Sequence, residues 1–328
     1  MLRVGLIGAG MVSRHHLLGW AAQGDRARVV AIADPSAENR DRRAGEFGIA
    51  AAYADAEAML DGEALDAVDI AAPREVHAML VRAAAARHLA ILCQKPLAED
   101  LPRAEALAAE ITDVRLMVHE NWRFRRYYRD AADWVHAGRI GTVQQCQMTL
   151  LTSGLLPDAQ GVQPALHRQP FMRGLRRMLV NEVLIHHLDT MRVLLGDLRV
   201  TACQLGRSRP EMAGEDRALV TLQSAQGAAA VLLGNMAAPG FPAVQADDML
   251  LIGDAGTIRL HNSTLTCQGP EPEQREYDLA ACYQNSYDAC IGHFVDALAS
   301  GSAFETSPAD NLRTLRLVED CYRLAQWT

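Results

Sequence analysis

A short apolar strand, Leu2–Ile7, runs straight into Gly8-Ala-Gly10 and then into a stretch of helical composition, His15–Ala22, an order that leaves the chain few ways to fold. The tight turn at Gly8 sends the chain back as a helix along the strand, the first half of a parallel βαβ unit. A second strand, Val29-Val-Ala-Ile-Ala, ends on Asp34, about 20 residues past the glycines. Gly8 permits the turn, and Gly10 leaves the backbone bare where a pyrophosphate would approach. The N–H groups at the helix start, around Met11 and Val12, face the same charge. Ser13 replaces the third glycine of the pattern and is small enough for close helix-to-strand packing. Asp34 suits the hydroxyls of an adenine ribose and repels a 2′-phosphate, so NAD is the expected cofactor. Arg40, Arg42 and Arg43 keep NADP open. The plain alternative is a strand–helix connection in which Asp34-Pro35-Ser36 merely caps the next helix.

Further strands at Ala67-Val-Asp-Ile-Ala and Leu89-Ala-Ile-Leu-Cys, separated by a helical stretch from Glu75 to Ala86, continue the alternation. Such alternation predicts a parallel sheet with helices on both faces, whose ligands bind outside the carboxyl ends of the strands. Ala71-Ala72-Pro73, Cys93-Gln94-Lys95-Pro96 and Val118-His119-Glu120-Asn121 all fall at predicted strand ends, and so should line one crevice. A cis bond at Pro96, aiming Lys95 inward, is expected.

Beyond Asn121 the pattern changes. A helix near Tyr127–Ala137 ends at Gly138, and residues 143–150 alternate with Cys146, Met148 and Leu150 on one side and Gln145, Gln147 and Thr149 on the other. Similar half-buried runs at 218–223, 229–233, 249–252 and 257–260 predict a large, mostly antiparallel open sheet. A last helix starts at Ser307-Pro308 and buries Leu315, Val318, Tyr322 and Ala325. The expected class is therefore α/β, with a dinucleotide-binding domain over residues 1–121 and a substrate-binding and oligomerisation domain over 122–328. The irregular segment 155–175 is the natural place for substrate specificity.

The acidic balance, with a formal charge of -8, disfavours a nucleic-acid surface. Seven scattered cysteines without a C-x-x-C pair suit a reduced, cytoplasmic setting. No apolar run reaches membrane-spanning length, and with a strand opening the sequence no signal peptide is expected.

The segment Glu182-Val-Leu-Ile-His-His-Leu-Asp189 supplies the remaining chemistry. In a continuous helix Glu182, His186 and Asp189 share one face, while His187 points about 100° away from His186. A neutral His186 can accept a hydroxyl proton while Lys95 hydrogen-bonds the same oxygen and stabilises developing alkoxide. Taken alone, a helical histidine is ordinarily structural and a lone lysine a surface charge. Glu182, His186, His187 and Asp189 are possible zinc ligands but lack a recognised zinc spacing, so no metal is expected.

These residues, in this order, resemble the Gfo/Idh/MocA family of sugar and polyol oxidoreductases. The resemblance spans the chain: the Gly8 turn, Asp66-Ala-Val-Asp-Ile-Ala-Ala-Pro73 with His77, Gln94-Lys-Pro-Leu-Ala98, His119-Glu-Asn-Trp-Arg-Phe124, Glu182 with His186 and Asp189, Gly214-Glu-Asp216, His293-Phe-Val-Asp-Ala-Leu298 and Phe304-Glu-Thr306. It implies a Rossmann domain followed by an α/β domain with a large open sheet through which oligomers form, here a homodimer or homotetramer. By motif position Lys95 matches the catalytic lysine, His186 the catalytic histidine and Glu182 the acidic group before it. Cofactor contacts are expected from Gly8, Gly10, Met11, Val12, Asp34, Ala72, Pro73, His77, Gln94, Lys95, Asn121 and Arg123. Substrate contacts are expected from Lys95, His119, Arg123, Arg173, Asn181, His186 and His187. Gln94 stands where the family usually has glutamate, Arg74 where it frequently has asparagine, Glu182 for aspartate and Leu184 for a common glycine. The expected activity is NAD(P)-dependent oxidation of a hydroxyl of a sugar, polyol or sugar acid. The alternatives are a non-catalytic dinucleotide- or sugar-sensing regulator, and an enzyme that holds NAD tightly and returns its hydride internally.

Overall fold

The computed structural model describes residues 1–244 and 247–327. The chain divides into two compact units, Met1–Arg125 with Ala280–Leu315, and Arg126–Leu279 with Arg316–Thr328. A single cut between 121 and 122 assigns Ala280–Leu315 to the second domain; in the structure that segment packs with the first.

The first unit contains β1 (Leu2–Ile7), α1 (Ser13–Ala21), β2 (Ala27–Ala33), α2 (Ala37–Phe47), β3 (Ala51–Tyr53), α3 (Ala56–Gly62) and β4 (Ala67–Ile70), followed by α4 (His77–Ala85), β5 (Ala90–Gln94), α5 (Leu101–Glu110) and β6 (Leu116–His119). All neighbouring strands are parallel, in the order β3-β2-β1-β4-β5-β6, so the order reverses between β1 and β4. The helices start on local signals: Ser36 accepts from the Asn39 amide before α2, Asp55 from Ala58 before α3, and Asp100 from Arg103 before α5. β3 is too short and too rich in alanine to show a periodicity in the sequence.

Apolar side chains pack against this sheet in two clusters. Leu6, Leu17, Ile32 and Ala71 belong to one. In the other, Val4, Trp20, Leu92 and Met117 meet Ile291, Phe294 and Val295 of α9 (Leu279–Ser300). The outer edge of β6 is also occupied: the Val118 amide donates to the Thr306 carbonyl at 2.8 Å, and Thr306 Oγ1 donates to the Val118 carbonyl at 2.6 Å. An exposed edge of unpaired backbone groups is thereby blunted.

The second unit holds α6 (Arg126–His136), β7 (Val143–Leu151), α7 (Pro164–Arg168), α8 (Ile185–Leu195), β8 (Leu198–Gly206), β9 (Arg217–Ser224), β10 (Ala229–Asn235), β11 (Asp247–Gly253), β12 (Thr257–His261), β13 (Thr264–Gln268) and β14 (Glu273–Glu276). Its eight strands run in the order β14-β13-β12-β11-β7-β10-β9-β8. Every pairing is antiparallel except β7 with β10, as the mostly antiparallel sheet predicted from alternation requires. The last helix, α10 (Pro308–Leu324), buries Leu315, Val318 and Tyr322, while Ala325 lies beyond its end and is partly exposed.

One local expectation is corrected. Residues 182–189 do not form one continuous α-helix: Leu179–Leu184 is a wide, π-type turn, and α8 begins only at Ile185. Glu182 therefore stands on the wide turn, while His186 and Asp189, three apart within α8, keep a common helix face.

Candidate active site

The glycine turn has the conformation that a dinucleotide-binding loop requires. Gly8 has φ +102, and a Cβ there would lie 2.6 Å from the Ala71 carbonyl oxygen, so both conformation and space demand glycine. A Cβ on Gly10 would meet nothing within 4 Å, leaving the approach over that residue open. Among the described residues no side chain caps the start of α1, as anion binding at a helix start requires. Ser13 is buried; its Oγ donates to the Gly10 carbonyl at 2.6 Å and accepts from Arg43 Nε at 3.1 Å, which fixes the turn without a third glycine. Asp34, at the end of β2, is aimed into the turn: Oδ2 accepts the Ala9 amide at 2.6 Å and Oδ1 the Ser36 amide at 2.8 Å. Met11 is exposed and Val12 half-buried at the rim. These residues fit an NAD molecule. Gly8→Ala is expected to cost about 2–3 kcal/mol of stability and to abolish NAD binding. Thermal melting and calorimetry with NAD check both, and a variant that melts and binds like the parent would contradict it.

The strand ends on the other side of β1 carry the next group. Ala72 is half-buried and Pro73 exposed after β4. His77 is buried, with Nδ1 2.8 Å from the Pro96 carbonyl oxygen and Nε2 2.9 Å from that of Ala72. It thus ties the loop after β4 to the segment carrying Lys95. Burial holds the His77 pKa below the ordinary histidine value, although both carbonyls favour the charged form. The Lys95–Pro96 bond is cis, as expected from the sequence. Lys95 is half-buried, and its amide donates to Gln94 Oε1 at 2.7 Å.

His119 is fully buried, its ring 4.2 Å from that of His16 and 5.1 Å from that of Tyr287. Asn121 Nδ2 donates to Ser286 Oγ at 2.7 Å. Arg123 is buried, pairing with Asp310 at 2.7 Å and donating to the Glu305 carbonyl at 3.3 Å.

In the second unit Asn181 and Glu182 are half-buried on the wide turn, and His186, the second residue of α8, is buried. Thr190 Oγ1 donates to the His186 carbonyl at 2.8 Å. His187 is fully buried, its Nε2 3.0 Å from Asp247 Oδ1, and Tyr127 donates to the other oxygen of that carboxylate at 3.2 Å. Arg173 is exposed on the Pro170–Gly174 turn, apart from the 181–186 segment in sequence.

Sequence reasoning missed the group that holds the wide turn in place. Glu215 is buried; Oε2 accepts the Met178 amide at 3.1 Å, while Oε1 accepts the Val180 amide at 3.0 Å and the Tyr322 hydroxyl at 2.6 Å. The Tyr322 oxygen in turn accepts the Asn181 amide at 3.1 Å. Burial raises the Glu215 pKa above the usual carboxylate range, and these hydrogen bonds pull it back. Also missed was Asp69, a carboxylate in the middle of β4 that must find a partner once buried. The charged residue in an otherwise apolar strand was the signal available.

The family described as "Oxidoreductase family, NAD-binding Rossmann fold" matches residues 2–121, and the GFO/IDH/MocA C-terminal domain matches residues 128–259. The chain belongs to the Gfo/Idh/MocA oxidoreductase family. This Gfo/Idh/MocA oxidoreductase is therefore an enzyme with NAD as its cofactor. It is similar to the D-apiose dehydrogenase of Paraburkholderia graminis, 34% identical across 98% of this chain and 87% of the relative. The inositol 2-dehydrogenase of Rhizobium meliloti is 27% identical across 98% of this chain and 96% of its own. An oxidoreductase from Agrobacterium radiobacter, crystallised in complex with NAD+, L-tartaric acid and magnesium, is 30% identical with a TM-score of 0.91, covering 99% of this chain and 96% of that one. Among the described residues of this Gfo/Idh/MocA oxidoreductase no helix is long and apolar enough to cross a membrane.

Proposed function

We propose that this protein is an NAD-dependent dehydrogenase that oxidises a hydroxyl of a sugar, polyol or sugar acid, with Lys95 and His186 handling the proton. The observation that carries the reading is the placement of the glycine turn, Asp34 and Lys95 at the carboxyl ends of strands in one parallel sheet, around the point where strand order reverses. NAD supplies the hydride acceptor. Lys95 donates a hydrogen bond to the reacting hydroxyl oxygen and stabilises its developing negative charge. His186 accepts the hydroxyl proton, and Glu182 orients that imidazole or holds a neighbouring hydroxyl. Arg173 and Asn181, which are not buried, are the substrate contacts most open to a sugar. The other expected substrate contacts, His119, Arg123 and His187, are buried. Likeness to D-apiose and inositol dehydrogenases makes D-apiose and the inositols the first substrates to try.

The test is a panel of aldoses, ketoses, inositols and sugar acids with NAD and then NADP, followed at the absorbance of the reduced nicotinamide, with Lys95→Ala as control. Turnover lost in the control supports the reading. NAD binding without turnover of any sugar would overturn it in favour of a sensing role.

The assembly expected is a homodimer or homotetramer formed through the open face of the large sheet, in a reduced, cytoplasmic setting. The cross-strand partners Leu219 and Leu233 on β9 and β10 are both exposed, while their in-chain neighbours are buried. Adjacent exposed leucines on a sheet face favour a second surface over water. Sedimentation at a multiple of the monomer mass is expected, and Leu219→Asp with Leu233→Asp should shift it toward the monomer. A parent protein that sediments as a monomer would exclude this assembly.

A further inference from the structure

The side chain of Gln94 lies between the main chain of Lys95 and the ring of His16. The Lys95 amide donates to Gln94 Oε1 at 2.7 Å, and because a backbone N–H can only donate, the orientation of the carboxamide is fixed. Gln94 Nε2, 3.1 Å from His16 Nε2, must then be the donor in that contact. The His16 Nε2 therefore accepts, and the ring proton sits on Nδ1, 2.8 Å from Asp69 Oδ2. Trp20 Nε1 donates to that same oxygen at 2.7 Å. His16 and Asp69 are both fully buried. The result is a directional chain of hydrogen bonds, from the Asp69 carboxylate on β4 through a neutral His16 on α1 to Gln94 and the main chain of Lys95.

We propose that Asp69 and His16 act as positioning residues for Lys95 through Gln94, and that this arrangement requires an amide at position 94. A carboxylate there would face the His16 Nε2 lone pair, and the two acceptors could meet only by sharing an added proton. The rings of His119 and Tyr287 also pack against His16. Burial raises the Tyr287 phenol well above its ordinary pKa and keeps it neutral. His15, next along α1, hydrogen-bonds Gln284. Replacing Gln94 by glutamate is thus expected to harm this chain.

The inference rests on the role proposed for Lys95, and two readouts keep them distinguishable. In nitrogen-15 histidine spectra of the ligand-free wild-type protein, His16 should be a neutral ring protonated on Nδ1. It can be assigned by the contact of that proton with the Trp20 indole N–H, which shares its acceptor. An imidazolium, or a proton on Nε2, would overturn the chain of hydrogen bonds whatever the enzyme turns over. Gln94→Glu should shift His16 to the doubly protonated form or place the added proton on the introduced carboxylate. Its turnover with NAD and the panel sugar should fall by about tenfold to a hundredfold against wild type. A Gln94→Glu enzyme with wild-type turnover at every pH would overturn the positioning of Lys95, even with the predicted His16 spectrum in hand.

Discussion

Lys95→Ala is expected to lower kcat by about 10²–10³-fold while leaving NAD binding intact. The residue follows Gln94 at the end of β5, and its backbone is tied by the carboxamide of Gln94 on one side and by the His77–Pro96 contact on the other. An ammonium held there matters most where charge develops on the substrate oxygen, so its loss falls on the chemical step more than on the ground state. The side chain is only half-buried, and truncating it removes little packing. Stopped-flow measurement of NADH formation, with calorimetry of NAD binding to the same variant, separates the two effects. A variant retaining more than half the parental rate would remove Lys95 from the reaction. A variant that no longer binds NAD would make it a cofactor ligand instead.

Glu215→Ala should be the most damaging single change outside the cofactor site. The carboxylate accepts the Met178 and Val180 amides and the Tyr322 hydroxyl, and Tyr322 holds the Asn181 amide. Alanine leaves three buried donors without their acceptor, each at a cost of about 1–3 kcal/mol that partial relaxation and entering water will reduce. A net loss of about 3 kcal/mol is expected, or roughly 6–12 °C in melting temperature for a unit of this size. Activity should fall further than stability alone explains, because the freed turn carries Glu182 and leads into His186. Glu215→Gln sharpens the test. Its Oε1 can still serve Val180 and Tyr322, but its amide faces the Met178 N–H, so an intermediate loss is expected.

The acid also shapes the pH response. Because the folded-state pKa is raised, the folded protein binds this proton more tightly than the unfolded chain. The stability it contributes is complete below the unfolded carboxylate pKa and declines as pH rises through the raised value. Glu215→Gln should remove that decline. A melting temperature unchanged in both variants would show that the turn holds itself.

The first domain was legible because its signals are local. The Gly8 turn, the acid ending β2 and the serine and aspartate caps each act within a few residues, and a parallel strand reads as one apolar run. The alternation of β7 with Cys146, Met148 and Leu150 inward was equally direct. Where the reading failed, the cause lay far along the chain. Nothing in Glu182-Val-Leu-Ile-His-His announces a π-type turn; it depends on Glu215 and Tyr322, both remote in sequence. His16 looks like any helical histidine until Asp69 and Gln94 are placed against it. The proposed cofactor-binding residues lie in short words of sequence, whereas the groups that aim the proposed catalytic side chains are spread over several strands and helices.

Thr306 on the outer edge of β6, with α9 against the sheet, sets an order of events during synthesis. The ribosome delivers the six strands first, yet the face and border they need arrive only after the whole second sheet has emerged. Folding in step with translation, at about 5–20 residues per second, must therefore leave the nascent nucleotide-binding half open for many seconds. A gene cut at the end of β6 would make that interval permanent, so the cofactor-binding half of this protein is not a transplantable module without its distant return segment.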